Sequence, residues 1–353
     1  MRSPRRERRL DGPFPPPPVT FRAIADDPWL IPVALSDGGR KVVWRDVGRC
    51  PFTHSLFRWS LDEWDPEHAR RPSIETDLSL LARPDFALDT VAPSVFIFHM
   101  SRCGSSVLAR VLARSPSVLV MSEVPGVNQL LRALFGEGLE RRSPDAGRLR
   151  ILRNFIGALA RKRELPSRYF AVKFSSWNAL LLPAFRAAFP EVPCLFLHRD
   201  PAEVIVSLLH RPAGFVSDQG SVRSRGLTGL DSESLDALDR VDYIAACLQP
   251  LMRAASSSPG IDLLAYRDLT KDALPRLLDH LGIACDAREI PEMIEQFDFY
   301  AKAFERDVPF GGDTEAKQGA ITPEIRRAAA RLAEDHAALE ASDRNLGAAW
   351  HAR

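Results

Sequence analysis

The chain has 353 residues, 45% of them apolar and 26% charged, with a net charge of +1 at pH 7. That length and composition suit a globular protein with one large core and a small appendage. The near-neutral balance excludes a global field for nucleic acid or an anionic membrane, so an anion must be bound by a local cluster.

Residues 1–20 open with five arginines in the first ten positions and run into a proline-rich stretch at 13–18. No apolar core follows those arginines, so a solvated, disordered arm is expected rather than a secretory leader. Residues 21–90 hold Trp29, Trp44, Trp59 and Trp64, four of the six tryptophans. There, Lys41–Arg45 after Gly38-Gly39 reads as a hairpin strand, and the region reads as a small N-terminal α+β appendage. A main α/β domain is expected over 91–345. Its order is β-α-β-α, which predicts a parallel sheet covered by helices. The strand at 95–98 leads into a helix over 105–114, with Val107, Leu108, Val111 and Leu112 on one face and Ser115-Pro116 as its stop. A strand at 118–121 follows, then helices near 125–135 and 147–162. A strand at 170–174 and a helix over 178–189 come next. The strand at 194–198 is followed by Asp200-Pro201, an N-cap with proline at the first helical position.

Residues 211–233 are rich in Gly, Ser and Arg and read as a mobile loop. A helix over 235–256, a strand at 262–265 and a helix over 271–281, ended by Gly282, follow. A polar loop is expected at 306–320, and Thr322-Pro323 opens a last helix reaching about 339. No apolar run approaches the ~18 residues of a membrane span, so no membrane partner is expected. Five cysteines, Cys50, Cys103, Cys194, Cys247 and Cys285, contain no C-x-x-C pair and read as reduced thiols of a cytoplasmic protein.

Two segments carry chemistry. The first is Met100-Ser101-Arg102-Cys103-Gly104-Ser105-Ser106, between an apolar strand and a helix. Strand, small-residue loop and helix N-terminus together offer backbone N–H groups and a positive dipole end to a phosphate or sulfate. Gly104 permits close backbone approach, Ser105 and Ser106 add hydroxyls, and Arg102 adds a charged fork. The loop lacks the Lys of the G-K-[ST] ending used by nucleotide triphosphatases. A plain strand-to-helix turn is the alternative. The second segment is Leu197–Ser207. Arg199 leaves a strand at its C-terminal end, and Ser207 lies two helical turns further on. Ligands of open parallel sheets bind outside those strand ends, so Arg199 and the first loop are expected to face one crevice. An ordinary helix cap is the alternative here.

Together the segments resemble the sulfotransferases that use 3′-phosphoadenosine-5′-phosphosulfate (PAPS). The 101–106 loop is similar to that family's 5′-phosphosulfate loop, R-S-G-T-T, with small-residue departures at Cys103, Ser105 and Ser106. Arg199 and Ser207 match its 3′-phosphate pair in type and spacing. Tyr266-Arg267-Asp268-Leu269 looks like its Tyr-Glu-Asp-Leu element. The cytosolic aryl and steroid branch places a catalytic His in Lys-Thr-His after a central strand. Here that position reads Lys173-Phe174-Ser175. The tyrosylprotein branch instead places a Glu after the second strand, and Glu123 stands there, with Lys173 at a similar spacing from Arg199 and Lys317 resembling a late phosphate-contacting Lys.

The resemblance implies a P-loop-NTPase-like sheet and PAPS as co-substrate. It implies in-line sulfuryl transfer to a hydroxyl acceptor of unspecified class, with no obligatory metal. Glu123 would be the general base, its pKa raised by a partly dry site, with Lys173 and the 101–106 amides holding the developing charge. His99 and His198 each end a strand and are alternative bases or packing groups. No histidine pair has the H-E-x-x-H spacing of a metal site. Trp177 and Asn178 either line the acceptor pocket or open a helix. Two other readings stay open: an ATP-dependent phosphotransferase, and a non-catalytic nucleotide-binding module of the same fold.

Overall fold

The computed structural model describes residues 19–140, 143, 145–305 and 308–351. The arm expected over 1–20 therefore lies outside the described residues, except for its last two positions, which begin helix α1 (Val19–Asp26). An antiparallel sheet follows, ordered β1 (Leu30–Ser36), β2 (Lys41–Asp46) and β3 (Ser73–Asp77), with α2 (Phe57–Trp64) between the last two. The hairpin expected around Gly38-Gly39 joins β1 to β2. Pro32 sits on the edge strand, where a missing N–H costs no ladder bond, and the register shifts beside it. Trp44 is fully buried, and its Nε1–H donates to Thr76 Oγ1 at 2.9 Å.

The second sheet has five parallel strands in the order β5-β6-β4-β7-β8: β4 (Pro93–His99), β5 (Val118–Ser122), β6 (Tyr169–Lys173), β7 (Cys194–His198) and β8 (Ile261–Ala265). Every residue of β5 and of β7 is buried, the pattern of strands covered on both faces. The helices between them are α3 (Ser105–Ala113), α4 (Pro125–Phe135), α5 (Ala146–Leu159), α6 (Leu182–Ala188) and α7 (Pro201–His210). Asp200 caps α7 by accepting from Glu203 N–H at 3.0 Å. The expected parallel α/β fold is the observed one.

Several element boundaries differ from expectation. The segment 211–233 is not an open loop. It forms a 3-10 turn over Gly214–Ser217 and the short helices α8 (Val222–Thr228) and α9 (Ser232–Asp236), with Phe215, Val216, Leu227 and Leu235 buried. Its Ser and Asp residues are caps: Ser221 accepts from Ser224 N–H and Asp231 from Ser234 N–H. Cap-rich short helices have the composition of a loop. The helix expected over 235–256 begins later, as α10 (Arg240–Ser257), because Asp239 caps it.

The remaining helices are α11 (Leu274–His280), α12 (Ile290–Glu295), α13 (Thr314–Gly319), α14 (Pro323–Ala330), α15 (Ala333–Glu340) and α16 (Leu346–His351). Thus the polar stretch 306–320 contains a helix, the last long helix is broken in two, and the α/β unit continues to 351. Among the described residues, none of the five cysteines is joined to another by a disulfide. Among the described residues, no helix is long and apolar enough to cross a membrane.

The two sheets share one core. Helix α4 lies directly on β1: a Cβ at Gly126 would sit 2.8 Å from the Val33 carbonyl oxygen. Gln129 Oε1 accepts from Leu35 N–H at 2.7 Å. Four further side chains reach across the same junction. Ser122 Oγ donates to Ser55 O (2.6 Å), Arg150 to Ala82 O (3.0 Å), Asn154 to Leu81 O (2.8 Å) and Arg161 Nη2 to Ala25 O (2.8 Å). Gly126→Ala should therefore destabilise the protein by about 1–3 kcal/mol through overpacking. Urea unfolding should show a single transition moved to lower denaturant. An unchanged midpoint would mean that α4 does not bear on β1.

Candidate active site

In an open parallel sheet the free edge for ligands lies beyond the carboxyl ends of the strands. The expected site residues leave the sheet there. Ser101 comes two residues after β4, Glu123 one after β5, Arg199 one after β7 and Tyr266 one after β8, while Lys173 is the last residue of β6. Two adjoining cavities open above these ends. The smaller is lined by Arg102, Cys103, Gly104, Ser105, Ser106, Arg199, Ser207, Tyr266 and Lys317, nine of the ten residues expected to bind cofactor. The tenth, Ser101, lines the larger cavity, about 510 Å³, together with Glu123 and Trp177.

The 101–106 loop is a strained turn. Ser101 and Arg102 have φ of +86° and +51°, and Gly104 has +88°. Positive φ is uncommon for residues other than glycine and marks backbone held by its surroundings. Gly104 is required, since a Cβ would meet the Tyr266 ring at 2.8 Å. As the N-cap of α3, Gly104 offers no side-chain acceptor, so the helix start presents bare amides to the smaller cavity. The Nε of Arg102 is buried without a hydrogen-bond partner. The Cys103 thiol donates to Leu197 O at 3.1 Å, and burial pushes its pKa up to about 11, so it is a packing group and not a nucleophile.

Glu123 is the third non-glycine residue of the site with positive φ, at +52°. Its N–H donates to the Lys173 carbonyl at 2.7 Å, and its carboxylate forms an ion pair with Lys173 Nζ. Lys173 is fully buried, and its Nζ also lies 3.5 Å from Ser106 Oγ. Lys173 thus links the loop to Glu123, although it comes from a neighbouring strand. The expectation of a raised Glu123 pKa is not met. Burial pushes the carboxyl up, but the charges of Lys173, His99 and Lys302, with the Lys173 hydrogen bond, outweigh it and bring the group to about 2. Glu123 is a carboxylate at neutral pH.

The second basic cluster surrounds Arg199. Its guanidinium donates to Glu203 at 2.5 Å, to Asp313 at 2.9 Å and to Thr314 Oγ1 at 3.1 Å. It also stacks 3.9 Å from the Tyr266 ring centroid. Asp313 additionally holds Lys317 Nζ at 2.6 Å. One carboxylate therefore sits between the two cations. Sequence reasoning had no pattern for Asp313, although its i,i+4 spacing to Lys317 is a helical ion pair, as is that of Arg199 to Glu203.

Lys302 is the main residue the sequence reading missed. It lines both cavities and interacts with Lys173, Arg102 and Glu123. It lies in irregular chain between α12 and α13, with no motif around it. Burial foremost, then the charges of Lys173 and Arg102, push its pKa down to about 7.

His99 lines the larger cavity, whereas His198 does not. His99 is buried, with Nε2 on Phe174 O and Nδ1 accepting from Ser101 N–H, both at 3.0 Å, and burial lowers its pKa to about 3. It buttresses the loop. His198 lines neither cavity. Asn178 caps a turn through Ser175 N–H at 3.0 Å, while Trp177 stacks on Arg132 in the larger cavity, 5.1 Å from its guanidinium. Trp59, Leu180 and Phe215 supply apolar wall, and Arg211 adds charge.

No family model matches the chain, and no curated protein matches it. Among solved structures it is similar to the sulfotransferase domain from the curacin biosynthetic pathway, with 17% identity over 70% of this chain and 99% of that one and a TM-score of 0.38. It is also similar to a sulfotransferase from Mycobacterium avium, with 13% identity over 85% and 93% and a TM-score of 0.37. A third is retinol dehydratase, solved in complex with androsterone and inactive cofactor PAP, with 14% identity over 76% and 88% and a TM-score of 0.32.

Proposed function

We propose that the protein transfers a sulfuryl group from PAPS to a hydroxyl acceptor. The observation that carries this reading is the presence of two separate basic clusters in one groove. One is the 101–106 loop with Lys173, and the other is Arg199 with Ser207 and Lys317. A cofactor with phosphate at both ends of its ribose needs two such clusters. A nucleoside triphosphate needs one, with a Lys inside the loop. The smaller cavity is an open groove of about 70 Å³ whose lining brings both clusters together. The nucleoside would then lie along the open face beside Tyr266.

In this reading Arg102 and the amides of Ser105 and Ser106 hold the phosphosulfate end. Arg199, Ser207 and Lys317 hold the 3′-phosphate, which displaces the Asp313 carboxylate. Glu123 faces the larger cavity and takes the proton of the acceptor hydroxyl. As that oxygen bonds to sulfur, the bond from sulfur to the bridging oxygen breaks, and Lys173 and Lys302 balance the charge left on the leaving phosphate. Trp59, Trp177, Leu180 and Phe215 suit an acceptor with an apolar body, while Arg132 and Arg211 suit polar substituents on it.

The decisive experiment is thermal shift with 3′,5′-ADP, 5′-AMP, and ATP with Mg²⁺. Native-state binding raises the melting temperature. Selective stabilisation by 3′,5′-ADP without metal is expected, and Arg199→Ala should abolish it. A shift with ATP and Mg²⁺ alone would instead support a phosphotransferase. Glu123→Gln should leave 3′,5′-ADP affinity nearly intact and lower turnover by ~10²–10⁴. Undiminished turnover in a folded Glu123→Gln protein would remove Glu123 from the base role.

A pH dependence follows from Lys302. An anion bound beside it raises a pKa that starts at about 7, so binding takes up a proton. Affinity for 3′,5′-ADP should then fall as pH rises above about 7, approaching tenfold per unit for one linked proton. Titration calorimetry at several pH values checks this, and Lys302→Met should flatten the profile. A flat wild-type profile counts against Lys302 as a phosphate contact.

A further inference from the structure

His198 ends β7, one residue before Arg199, yet its side chain enters neither cavity. It is fully buried, and neither of its ring nitrogens has a hydrogen-bond partner among the described residues. Buried imidazoles nearly always have such partners. What His198 faces is α15. There His336 and Glu340, one helical turn apart, point at the same spot. Glu340 Oε1 lies 3.6 Å from His198 Nδ1 and 3.4 Å from His336 Nε2. His336 Nε2 is itself buried without a hydrogen-bond partner. The three donor atoms lie within 4.8 Å of one another, and the two rings stand at 71° to each other.

These separations fit a common ligand. Nitrogen and oxygen donors at ~2.0–2.1 Å from a tetrahedral ion stand roughly 3.3–3.5 Å apart. Metal binds the neutral imidazole, and the ring nitrogens aimed at this point have no hydrogen bond that would compete with an ion. The Glu340 carboxylate is oriented from behind by Arg267, whose Nη1 donates to Oε1 at 2.9 Å and whose Nη2 pairs with Oε2. Such outer contacts fix a ligand's geometry, and the positive charge of Arg267 also moderates the affinity.

We propose that His198, His336 and Glu340 form a binding site for a divalent transition-metal ion, zinc before others, tying the end of β7 to α15. Two imidazoles and a carboxylate are a zinc ligand set, and three protein ligands leave a fourth position for water. The site is separate from the groove and does not depend on the sulfuryl-transfer reading. The sequence alone offers no H-E-x-x-H pattern for it, because one ligand comes from a strand and two from a distant helix.

The test uses the full chain without an affinity tag, stripped with a chelator and titrated with Co²⁺ under visible absorption. One equivalent should produce the intense bands of four-coordinate cobalt, and Zn²⁺ should displace them. His336→Ala should weaken binding at least ~10-fold. His280→Ala, which removes the histidine paired with Asp262 at 3.0 Å, should leave it unchanged. A wild-type protein that gives no spectrum at one equivalent, or only the weak bands of octahedral cobalt, overturns the proposal without any variant. Equal binding by wild type and folded His336→Ala overturns it as well.

Discussion

Lys173 holds an ammonium group wholly out of water, and a buried unpaired charge of that kind is among the most costly things a fold can contain. The fold answers with Glu123, placed at the end of the adjacent strand in a left-handed backbone conformation and joined to Lys173 by both side chain and backbone. Removing one member of such a pair typically costs about 3–5 kcal/mol. Glu123 is therefore held where it is, and Lys173 is aimed at Ser106 and the start of α3. The same pairing explains why Glu123 is ionised. Burial opposes the charge, but a partner in direct contact more than compensates.

The second cluster follows the same rule. Arg199 is matched by Glu203 and Asp313, and Lys317 by Asp313. These cations are matched by carboxylates, Asp313 being shared between Arg199 and Lys317, so a chain of net charge +1 gathers cations in the groove without a long-range field. Asp313 differs from the other carboxylates because it lines the cavity. It pairs with both cations at once. Lys302 differs from them in that burial, with the charges of Lys173 and Arg102 beside it, outweighs the Glu123 carboxylate and lowers its pKa.

The N-terminal sheet belongs to this arrangement. Its strands pack on α4, and α4 begins just after Glu123. The region also contributes Leu56 and Trp59 to the wall of the larger cavity. The shape of the larger cavity is thus set partly by the region least related to the parallel sheet.

The strand ends were legible from sequence for a physical reason. Parallel strands buried on both faces are unbroken apolar runs, and the residues that follow them must lie at the open edge of the sheet. That logic found Ser101 through Ser106 and Arg199, the resemblance to a known family added Glu123, Lys173 and Tyr266, and cap chemistry marked Asp200 and Thr322. Local chemistry also misled it. The caps of α8 and α9 have the composition of a loop, so 211–233 read as open chain.

What the linear sequence could not express was any property that depends on several distant segments meeting. The burial of Lys173 and the resulting acidity of Glu123 require three strands and a loop to close around one point. Lys302 acquires its place only when irregular chain folds over the groove, and Asp313 reaches Arg199 only across the fold. His198, His336 and Glu340 become neighbours because α15 packs beside the end of β7. The sequence by itself determined the parallel sheet and which residues stand at its edge, since both follow from short-range pattern. Tertiary packing alone decided charge state, pairing and cavity shape, because these depend on the field and volume created by residues far apart in the chain.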